Sequence, residues 1–179
     1  KLNKSLMSQS INLYKQLANH KLFNKSVNFG LKRIKLALDL LGNPEKKLKN
    51  VISVVGESGK FTTLFSLKSF IEANNQKITA HISPSLRDIR ERFYMGEKYL
   101  SHKQIKKTIK QIEKLNIPLT VFECLTLVYI INASKLNVDY NIQETGALWR
   151  LDSNNIHNFP KLQICTNINK QHLNFLKRK

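Results

Sequence analysis

The chain is poor in cysteine, in acidic residues and in long apolar runs, and each shortage excludes a class of protein. Its 179 residues include two cysteines, Cys124 and Cys165, which lie far apart and lack the C-x-x-C or Cys/His spacing of a metal site. Both occur among apolar residues, so we expect reduced core cysteines of a cytoplasmic protein. No apolar run reaches the length of a membrane span, and no signal peptide opens the chain, so no membrane partner is predicted.

Acidic residues are scarce, because 12 Asp and Glu stand against 30 Lys and Arg, and the formal net charge is +18. Such a charge is typical of proteins that bind nucleic acid or an anionic substrate. The lysines are nevertheless spread over most of the chain, and lysine, asparagine and isoleucine are abundant as in products of AT-rich genomes. No RNA-binding aromatic motif accompanies the lysines, so nucleic acid is not expected to be the main partner.

Hydrophobic periodicity predicts one domain of alternating helices and strands. This alternation is typical of an α/β fold with a mostly parallel sheet flanked by helices, in which ligands bind beyond the carboxyl ends of the strands. A turn or hairpin is expected within residues 88–100. Helices are predicted over residues 4–20, 30–41, 62–74 and 120–136 and from Ser101 onward, and strands over residues 51–55, 77–82, 138–142 and 162–166.

The most informative stretch is NVISVVGESGKFTT, residues 50–63. Its β-branched run is typical of a strand buried on both faces, and its glycines can turn backbone N–H groups toward an anion. The lysine adds a point charge, the threonines offer a hydroxyl to a magnesium ion, and the next helix directs its positive end to the same place. The residues of this predicted phosphate-binding loop are Gly56, Gly59, Lys60, Thr62 and Thr63.

This loop departs from the general pattern GxxxxGK[ST]. Only two residues separate its glycines, and Phe61 instead of a hydroxyl residue follows the lysine. On these residues alone, a strand–turn–helix corner without a ligand is an equal alternative. Polar residues elsewhere favour a site, because Ser83, Glu144 and Asn167 each come just after a predicted strand, at the same edge of the sheet.

Eight segments, in order along the chain, resemble motifs of folylpolyglutamate synthase/dihydrofolate synthase, of the Mur ligase superfamily. The matches run from about residue 29 to residue 176, which is far more specific than the loop alone. The segments are residues 29–34 (F-G-L-x-R-I in the family), 41–44 (L-G-N-P), 55–63 (A-G-T-N-G-K-G-S-T), 83–86 (S-P-H-L, with 91–92 as in E-R-I), 119–123 (L-T-x-F-E), 138–146 (V-D-Y…E-V-G), 150–155 (R-L-D-A-T-N) and 166–172 (T-N-I-x-x-D-H).

The resemblance implies a P-loop ATPase domain of Mur ligase type, in an ATP-dependent ligase that adds L-glutamate to dihydropteroate or a folate through an acyl phosphate. It implies ATP and Mg²⁺ as cofactors and a cytoplasmic monomer. By the same resemblance, the phosphates contact the loop, with Lys60 as the catalytic residue. The residues implied to hold magnesium are Ser83, Glu144 and His172, and those implied to contact the pterin substrate are Leu119, Thr120, Phe122 and Arg150.

The departures from the family pattern leave an alternative open. A glycine of the family loop is Phe61 here, its Thr-Asn pair is Glu57-Ser58, and the G-L-G-G turn has the bulky Trp149 at its end. Such changes at backbone turns that approach a ligand are costly. The alternative is a truncated or degenerate non-catalytic homologue that binds a pterin, a partner or nucleic acid.

The chain begins at Lys1 instead of methionine and ends at Lys179, soon after the last implied metal ligand. The family continues through the remainder of the ATPase domain and a separate C-terminal domain. We therefore expect residues 1–179 to be an incomplete N-terminal ATP-binding domain, with the glutamate ligase domain absent. Alone, it is not expected to complete the ligase cycle.

Overall fold

The computed structural model of the protein describes residues 4–24, 30–146 and 149–168. Within these residues the chain alternates between helices and short strands, as the periodicity predicts. Short 3₁₀ turns occur at Pro44–Lys47, Ile89–Arg92 and Trp149–Leu151. The elements in chain order are α1 (Lys4–Asn19), β1 (Phe23–Asn24), α2 (Lys32–Leu40), β2 (Val51–Val55), α3 (Lys60–Ala73), β3 (Ile78–His81), β4 (Phe93–Met95), α4 (His102–Glu113), β5 (Leu119–Thr120), α5 (Val121–Ala133), β6 (Tyr140–Glu144) and β7 (Leu162–Cys165).

Five strands form the main sheet in the order β4-β3-β6-β2-β7. All neighbours in this sheet are parallel except β4, which runs antiparallel to β3. In the register of the sheet, Val54 lies opposite Glu144 of β6, and Val55 lies opposite Cys165 of β7. The predicted fold class, α/β with a mostly parallel sheet flanked by helices, is therefore confirmed.

Side chains of β2 alternate between two hydrophobic clusters, one on each face of the sheet. Ile52 and Val54 pack in a cluster with Leu64 of α3, whereas Val51 belongs to a larger cluster that includes residues of α1, α2, α4 and α5. All five residues of β2 are buried. The β-branched run is thus covered on both faces, as expected for a central parallel strand.

The residues between 88 and 100 form a hairpin whose first strand joins the sheet. Its turn is closed by a bond of 2.8 Å from the N–H of Met95 to the carbonyl of Lys98, and Gly96 has a φ of 85°. Phe93 pairs with His81 of β3, which makes β4 the edge strand on that side. The periodicity predicted the hairpin without this strand, because three residues are too few to show a period of two.

The start of α5 is fixed by a capping box. The Thr120 hydroxyl accepts from the N–H of Glu123 at 3.1 Å, and the Glu123 carboxylate accepts from the N–H of Thr120 at 2.7 Å. The same buried carboxylate accepts a 3.1 Å bond from Nε of Arg33 on α2. Glu123 therefore joins two helices, and its charge has a partner.

The two cysteines have different environments. Cys124 is fully buried in α5, whereas Cys165 is exposed. The expectation that both are core residues is thus wrong for Cys165, because it lies on β7, the last strand of the sheet. Among the residues that the structure describes, no helix is both long enough and apolar enough to cross a membrane.

Candidate functional site

A cleft of about 320 Å³ lies beyond the carboxyl ends of β2, β3 and β6. It is the place where the strand order predicts a ligand, since β2 and the loop after it lie between two parallel neighbours. A larger depression of about 540 Å³, near Asn50 and Lys161, brings together none of the predicted site residues. The residues that line the cleft are Gly56, Glu57, Gly59, Lys60, Phe61, Ser83, Pro84, Glu144, Thr145 and Gly146.

The two loop glycines have backbone conformations that other residues rarely adopt. Gly59, with φ of 81°, immediately precedes α3, and Gly56 has φ of 127°. Gly56 is also tightly packed, because a Cβ built on it would meet Oγ1 of Thr166 and lie 2.9 Å from the carbonyl oxygen of Asn167. The loop therefore passes close to the chain that leaves β7.

Residues after β7 hold the shape of the loop through hydrogen bonds. Oδ1 of Asn167 accepts from the N–H of Glu57 at 3.2 Å and from the N–H of Ser58 at 2.9 Å. The Thr166 hydroxyl donates to the carbonyl of Ser58 at 2.7 Å. Asn167, which the sequence placed at this sheet edge, thus acts on the loop itself.

Lys60 lies across the mouth of the loop. Its ammonium donates to the carbonyl of Gly56 at 2.7 Å and to that of Glu57 at 3.0 Å. The side chain is half-buried. Burial raises the pKa values of Glu144 and Asp152, and the positive charge of Lys60 opposes part of this rise. The cation therefore acts on both acids of this sheet edge.

Ser83 and Glu144 meet on the other side of the cleft. Oε2 of Glu144 accepts from the N–H of Ser83 at 2.9 Å. Burial raises the pKa of Glu144, while the Ser83 N–H, Lys60 and Arg92 act against this rise. A serine hydroxyl beside a carboxylate provides the hard oxygen donors that Mg²⁺ prefers.

This donor set is small, and it suits a magnesium ion that keeps several ligands from water and phosphate. In the described part of the chain, no group of three or more His, Cys, Asp or Glu side chains could hold a metal ion. Magnesium is commonly bound through one or two carboxylates together with substrate phosphates, which is compatible with Ser83 and Glu144. His172, the third predicted ligand, lies outside the described residues.

Asp152 fixes the backbone that follows Glu144, a role that the sequence reasoning missed. Its Oδ2 accepts from the N–H of Gly146 at 3.1 Å, and its Oδ1 accepts from the N–H of Asn154 at 2.9 Å. A Cβ on Gly146 would lie 2.7 Å from that Oδ2 atom and 3.5 Å from Cζ of Phe122. Asn154 in turn donates to the carbonyl of Glu144 at 2.8 Å. The R-L-D-x-x-N segment was the available signal.

Replacing Asp152 with asparagine is expected to change how stability depends on pH. Burial raises the pKa of Asp152 from 3.8 to about 6. The N–H groups of Asn154 and Gly146, which donate to the carboxylate, lower this pKa and so offset only part of the rise. Between these values the folded state binds more protons than the unfolded state, so stability falls as pH rises from 4 to 6. The shift corresponds to roughly 3 kcal/mol. The measurement is the unfolding free energy of wild type minus that of Asp152→Asn, from urea titrations at pH 4 and at pH 7. This difference should be smaller at pH 7 than at pH 4.

The prediction concerns the difference in unfolding free energy between wild type and variant, because two buried histidines change the stability of both proteins with pH in the opposite direction. Burial lowers the pKa of His81 to about 3 and that of His157 to about 4, so both favour the folded state as pH rises. The matched control is Asp139→Asn, an exposed acid that also accepts a backbone bond, from Lys77. Equal pH dependence for Asp152→Asn and this control would contradict the prediction.

The other predicted site residues are spread around this cleft without lining it. Thr62 is exposed on the first turn of α3 with Thr63 half-buried beside it, and Arg150 is exposed in the third 3₁₀ turn. Leu119 and Thr120 are buried at β5. Phe122 is half-buried and approaches the cleft through its neighbour Gly146, as described above. The structure therefore brings together Gly56, Gly59, Lys60, Ser83 and Glu144.

Phe61 lies at the cleft, and it is not part of the core. Its side chain is 40% exposed, and its ring centroid is 4.5 Å from that of Phe65 on the next turn of α3. The ring adds bulk beside Lys60, where the family motif has a glycine. The sequence indicated that this position departs from the motif, and the structure shows Phe61 among the residues that line the cleft.

No family model matches the chain. A dihydrofolate synthase/folylpolyglutamate synthase of Buchnera aphidicola is 32% identical over 156 residues, which are 86% of this chain and 37% of the relative. An Escherichia coli FolC solved with DHPP and ADP has a TM-score of 0.85 and 29% identity over 94% of this chain and 40% of its own. A bifunctional folylpolyglutamate synthase/dihydrofolate synthase with Mn, AMPPNP and L-glutamate bound has a TM-score of 0.71 and 27% identity over 86% of this chain and 36% of its own. The chain thus spans a little over a third of the length of such relatives, and the predicted resemblance is confirmed.

Proposed function

Since this chain is homologous over most of its length to dihydrofolate synthase/folylpolyglutamate synthases, we propose that its cleft binds ATP with Mg²⁺. The reaction is the ATP-dependent addition of L-glutamate to dihydropteroate or to a folate, through an acyl phosphate. The observation that carries this proposal is the meeting of Lys60, Ser83 and Glu144 in one cleft at the carboxyl ends of parallel strands.

The residues of the cleft fit a nucleotide phosphate and its metal ion. The Gly56 and Gly59 conformations and the start of α3 suit an anion, because helix N-termini present free N–H groups and a positive partial charge. Lys60 adds a full positive charge beside this loop. Ser83 and Glu144 supply oxygen ligands for magnesium, and His172 is proposed as a further ligand.

Catalysis at such a site consists mainly of electrostatic stabilisation of the phosphates and positioning of the reacting groups. When bound, ATP would supply the phosphoryl group and Mg²⁺ would neutralise part of the charge on its phosphates. Lys60 orients the phosphate chain and stabilises negative charge as it develops. Glu144, kept in place by the N–H of Ser83, gives the metal a fixed anionic partner.

The molecules bound to the relatives support the substrates proposed for this chain. One relative binds DHPP and ADP, and another binds L-glutamate with Mn and AMPPNP. For this chain we propose dihydropteroate or a folate as the acceptor, L-glutamate as the incoming amine, a cytoplasmic location and a monomeric state. Residues 1–179 are proposed to form the N-terminal ATP-binding part, with the glutamate ligase domain outside them. The residues proposed to contribute to nucleotide and pterin binding also include Thr62, Thr63, Leu119, Thr120, Phe122 and Arg150.

One observation favours a second candidate, a homologue that has lost the chemistry. Phe61 lines the cleft next to Lys60 and is 40% exposed, at a position where the family motif has a glycine. A side chain that occupies phosphate space would weaken ATP binding without disturbing the fold. Such a domain would bind a pterin, a protein partner or nucleic acid instead.

Calorimetric titration of residues 1–179 with Mg-ATP tests the first candidate, with circular dichroism to establish that the protein is folded. We expect saturable binding that ADP displaces and that is much weaker when EDTA removes the metal. No binding by the folded protein would overturn the ATP role. Binding that appears only in Phe61→Gly would establish the second candidate, since this change restores the space and leaves Lys60 unchanged.

A further inference from the structure

A chain of hydrogen bonds leads from helix α1 to the candidate metal ligand Ser83. Nη1 of Arg92 donates to the Ser83 hydroxyl at 3.0 Å, and Nε of the same guanidinium donates to the hydroxyl of Tyr14 at 2.6 Å. The Tyr14 hydroxyl also makes a 2.7 Å bond with the hydroxyl of Ser85. The guanidinium of Arg92 thus contacts both α1 and a residue that lines the cleft.

Arg92 is well suited to fix the position of the Ser83 hydroxyl relative to Tyr14, because its guanidinium is planar and its donors point in fixed directions. The residue is only 9% exposed, and its guanidinium carbon lies 5.8 Å from the centre of the Tyr14 ring. The 3₁₀ turn that carries Arg92 is also attached to α1, because the N–H of Ile89 donates to the Ser10 hydroxyl at 2.7 Å. Two independent contacts therefore dock α1 against this turn.

We propose that Arg92 and Tyr14 are positioning residues that hold the Ser83 hydroxyl in the orientation required by the divalent metal. For its metal part, this inference rests on the proposed function. A serine side chain has three staggered rotamers, and one fixed donor selects among them. Tyr14 acts one bond further away, by fixing the plane of the guanidinium. Neither residue touches the nucleotide in this assignment.

The charge of Arg92 has an effect on metal binding that opposes its positioning effect, so the test must separate the two. The positive charge of Arg92 lies close to a metal ligand, and on its own it would weaken the binding of a cation. The geometric effect must therefore be measured with the charge kept constant. Arg92→Lys retains one positive charge but loses the two-ended planar donor, and Tyr14→Phe retains Arg92 and the aromatic ring.

The experiment measures Mn²⁺ binding to the ADP complex of residues 1–179 by electron paramagnetic resonance, together with ADP affinity in EDTA. Loss of an outer partner of a metal ligand typically costs about 10- to 100-fold in metal affinity. We expect Arg92→Lys to fall in this range and Tyr14→Phe near its lower end, with metal-free ADP affinity unchanged. Tyr99→Phe is the matched control, because Tyr99 is an exposed tyrosine on the β4 hairpin, away from the cleft.

A second readout does not depend on metal or nucleotide. The Ser83 amide proton is bonded to Glu144, so its NMR chemical shift reports the local geometry. Tyr14→Phe should move this resonance, and Tyr99→Phe should not. An unmoved Ser83 resonance, or unchanged Mn²⁺ affinity in both Tyr14→Phe and Arg92→Lys, would overturn the positioning role. If the wild-type protein binds no Mn²⁺ with ADP, the proposed function is wrong, and the Ser83 resonance decides the positioning alone.

Discussion

Replacing Lys60 with alanine is expected to remove most of the affinity of the folded domain for Mg-ATP. A hydrogen bond to a charged group is worth about 1.5 to 3 kcal/mol, which corresponds to roughly 10- to 150-fold in affinity. We expect the upper part of this range, because the lysine is half-buried and faces the anion site together with the start of α3. The measurement is the calorimetric dissociation constant of Mg-ATP for Lys60→Ala and for wild type.

The fold should survive this change. In the structure the ammonium donates to two carbonyls of its own loop, those of Gly56 and Glu57, which can instead be solvated at the cleft surface. A small change in unfolding free energy, within about 1 kcal/mol, is therefore expected. Lys103→Ala, at an exposed position on α4, is the control for the loss of one positive charge from a strongly basic protein. If both variants lose affinity equally, the effect is the overall charge, and the loop has no specific role.

Local patterns were sufficient to predict four of the five strands of the main sheet. Strands β2, β3, β6 and β7 have apolar runs bounded by turn residues, and the helices between them show long periodic stretches. The two-residue strands β1 and β5 could not be predicted, because they exist only through the pairing of Phe23 with Leu119. A pairing between residues so distant in sequence has no local signal. The antiparallel edge strand β4 was missed for a related reason, since only its hairpin turn is a local feature.

The residues of the candidate site also fall into those that local sequence patterns predict and those that depend on contacts between distant segments. Lys60, Ser83 and Glu144 could be predicted to meet, because each lies at or beyond the carboxyl end of a strand and these strands are parallel. Arg92 and Tyr14 could not, because their bond joins residues 78 positions apart and depends on how α1 docks. Asp152 is a similar case, since it acts through the N–H of Gly146, six positions earlier. Sequence reasoning therefore found the groups proposed to meet the ligand and missed the side chains that orient them.

Phe61 shows a different limit of prediction from sequence, which concerns the orientation of a side chain. Its identity was visible in the sequence, but the direction of the ring was not, because the first turn of a helix can present a side chain to the core or to solvent. The structure packs the ring on Phe65 and leaves the residue 40% exposed, at the lining of the cleft. The consequence for ATP therefore depends on whether the ring leaves room for the phosphates, which the comparison of wild type with Phe61→Gly tests.

Replacing Gly56 with alanine is expected to damage both the stability of the domain and its nucleotide site. A Cβ at this position would meet Oγ1 of Thr166 and lie 2.9 Å from the carbonyl oxygen of Asn167, and the φ of 127° is unfavourable for any side chain. Backbone conformations of this kind cost of order 1 to 3 kcal/mol each, and overpacking typically adds about 1 to 3 kcal/mol. We therefore expect a loss of about 2 to 6 kcal/mol in unfolding free energy, measured by urea titration with circular dichroism.

The chain offers a control that separates these two costs. Gly42 also has a left-handed φ, of 77°, but a Cβ built on it has no atom within 4 Å among the residues that the structure describes. Gly42→Ala should therefore show the backbone cost alone and leave Mg-ATP binding unchanged. The excess destabilisation of Gly56→Ala then reports the contact with Thr166 and Asn167. Equal destabilisation of the two variants would show that the chain after β7 can move away, and that this contact does not shape the loop.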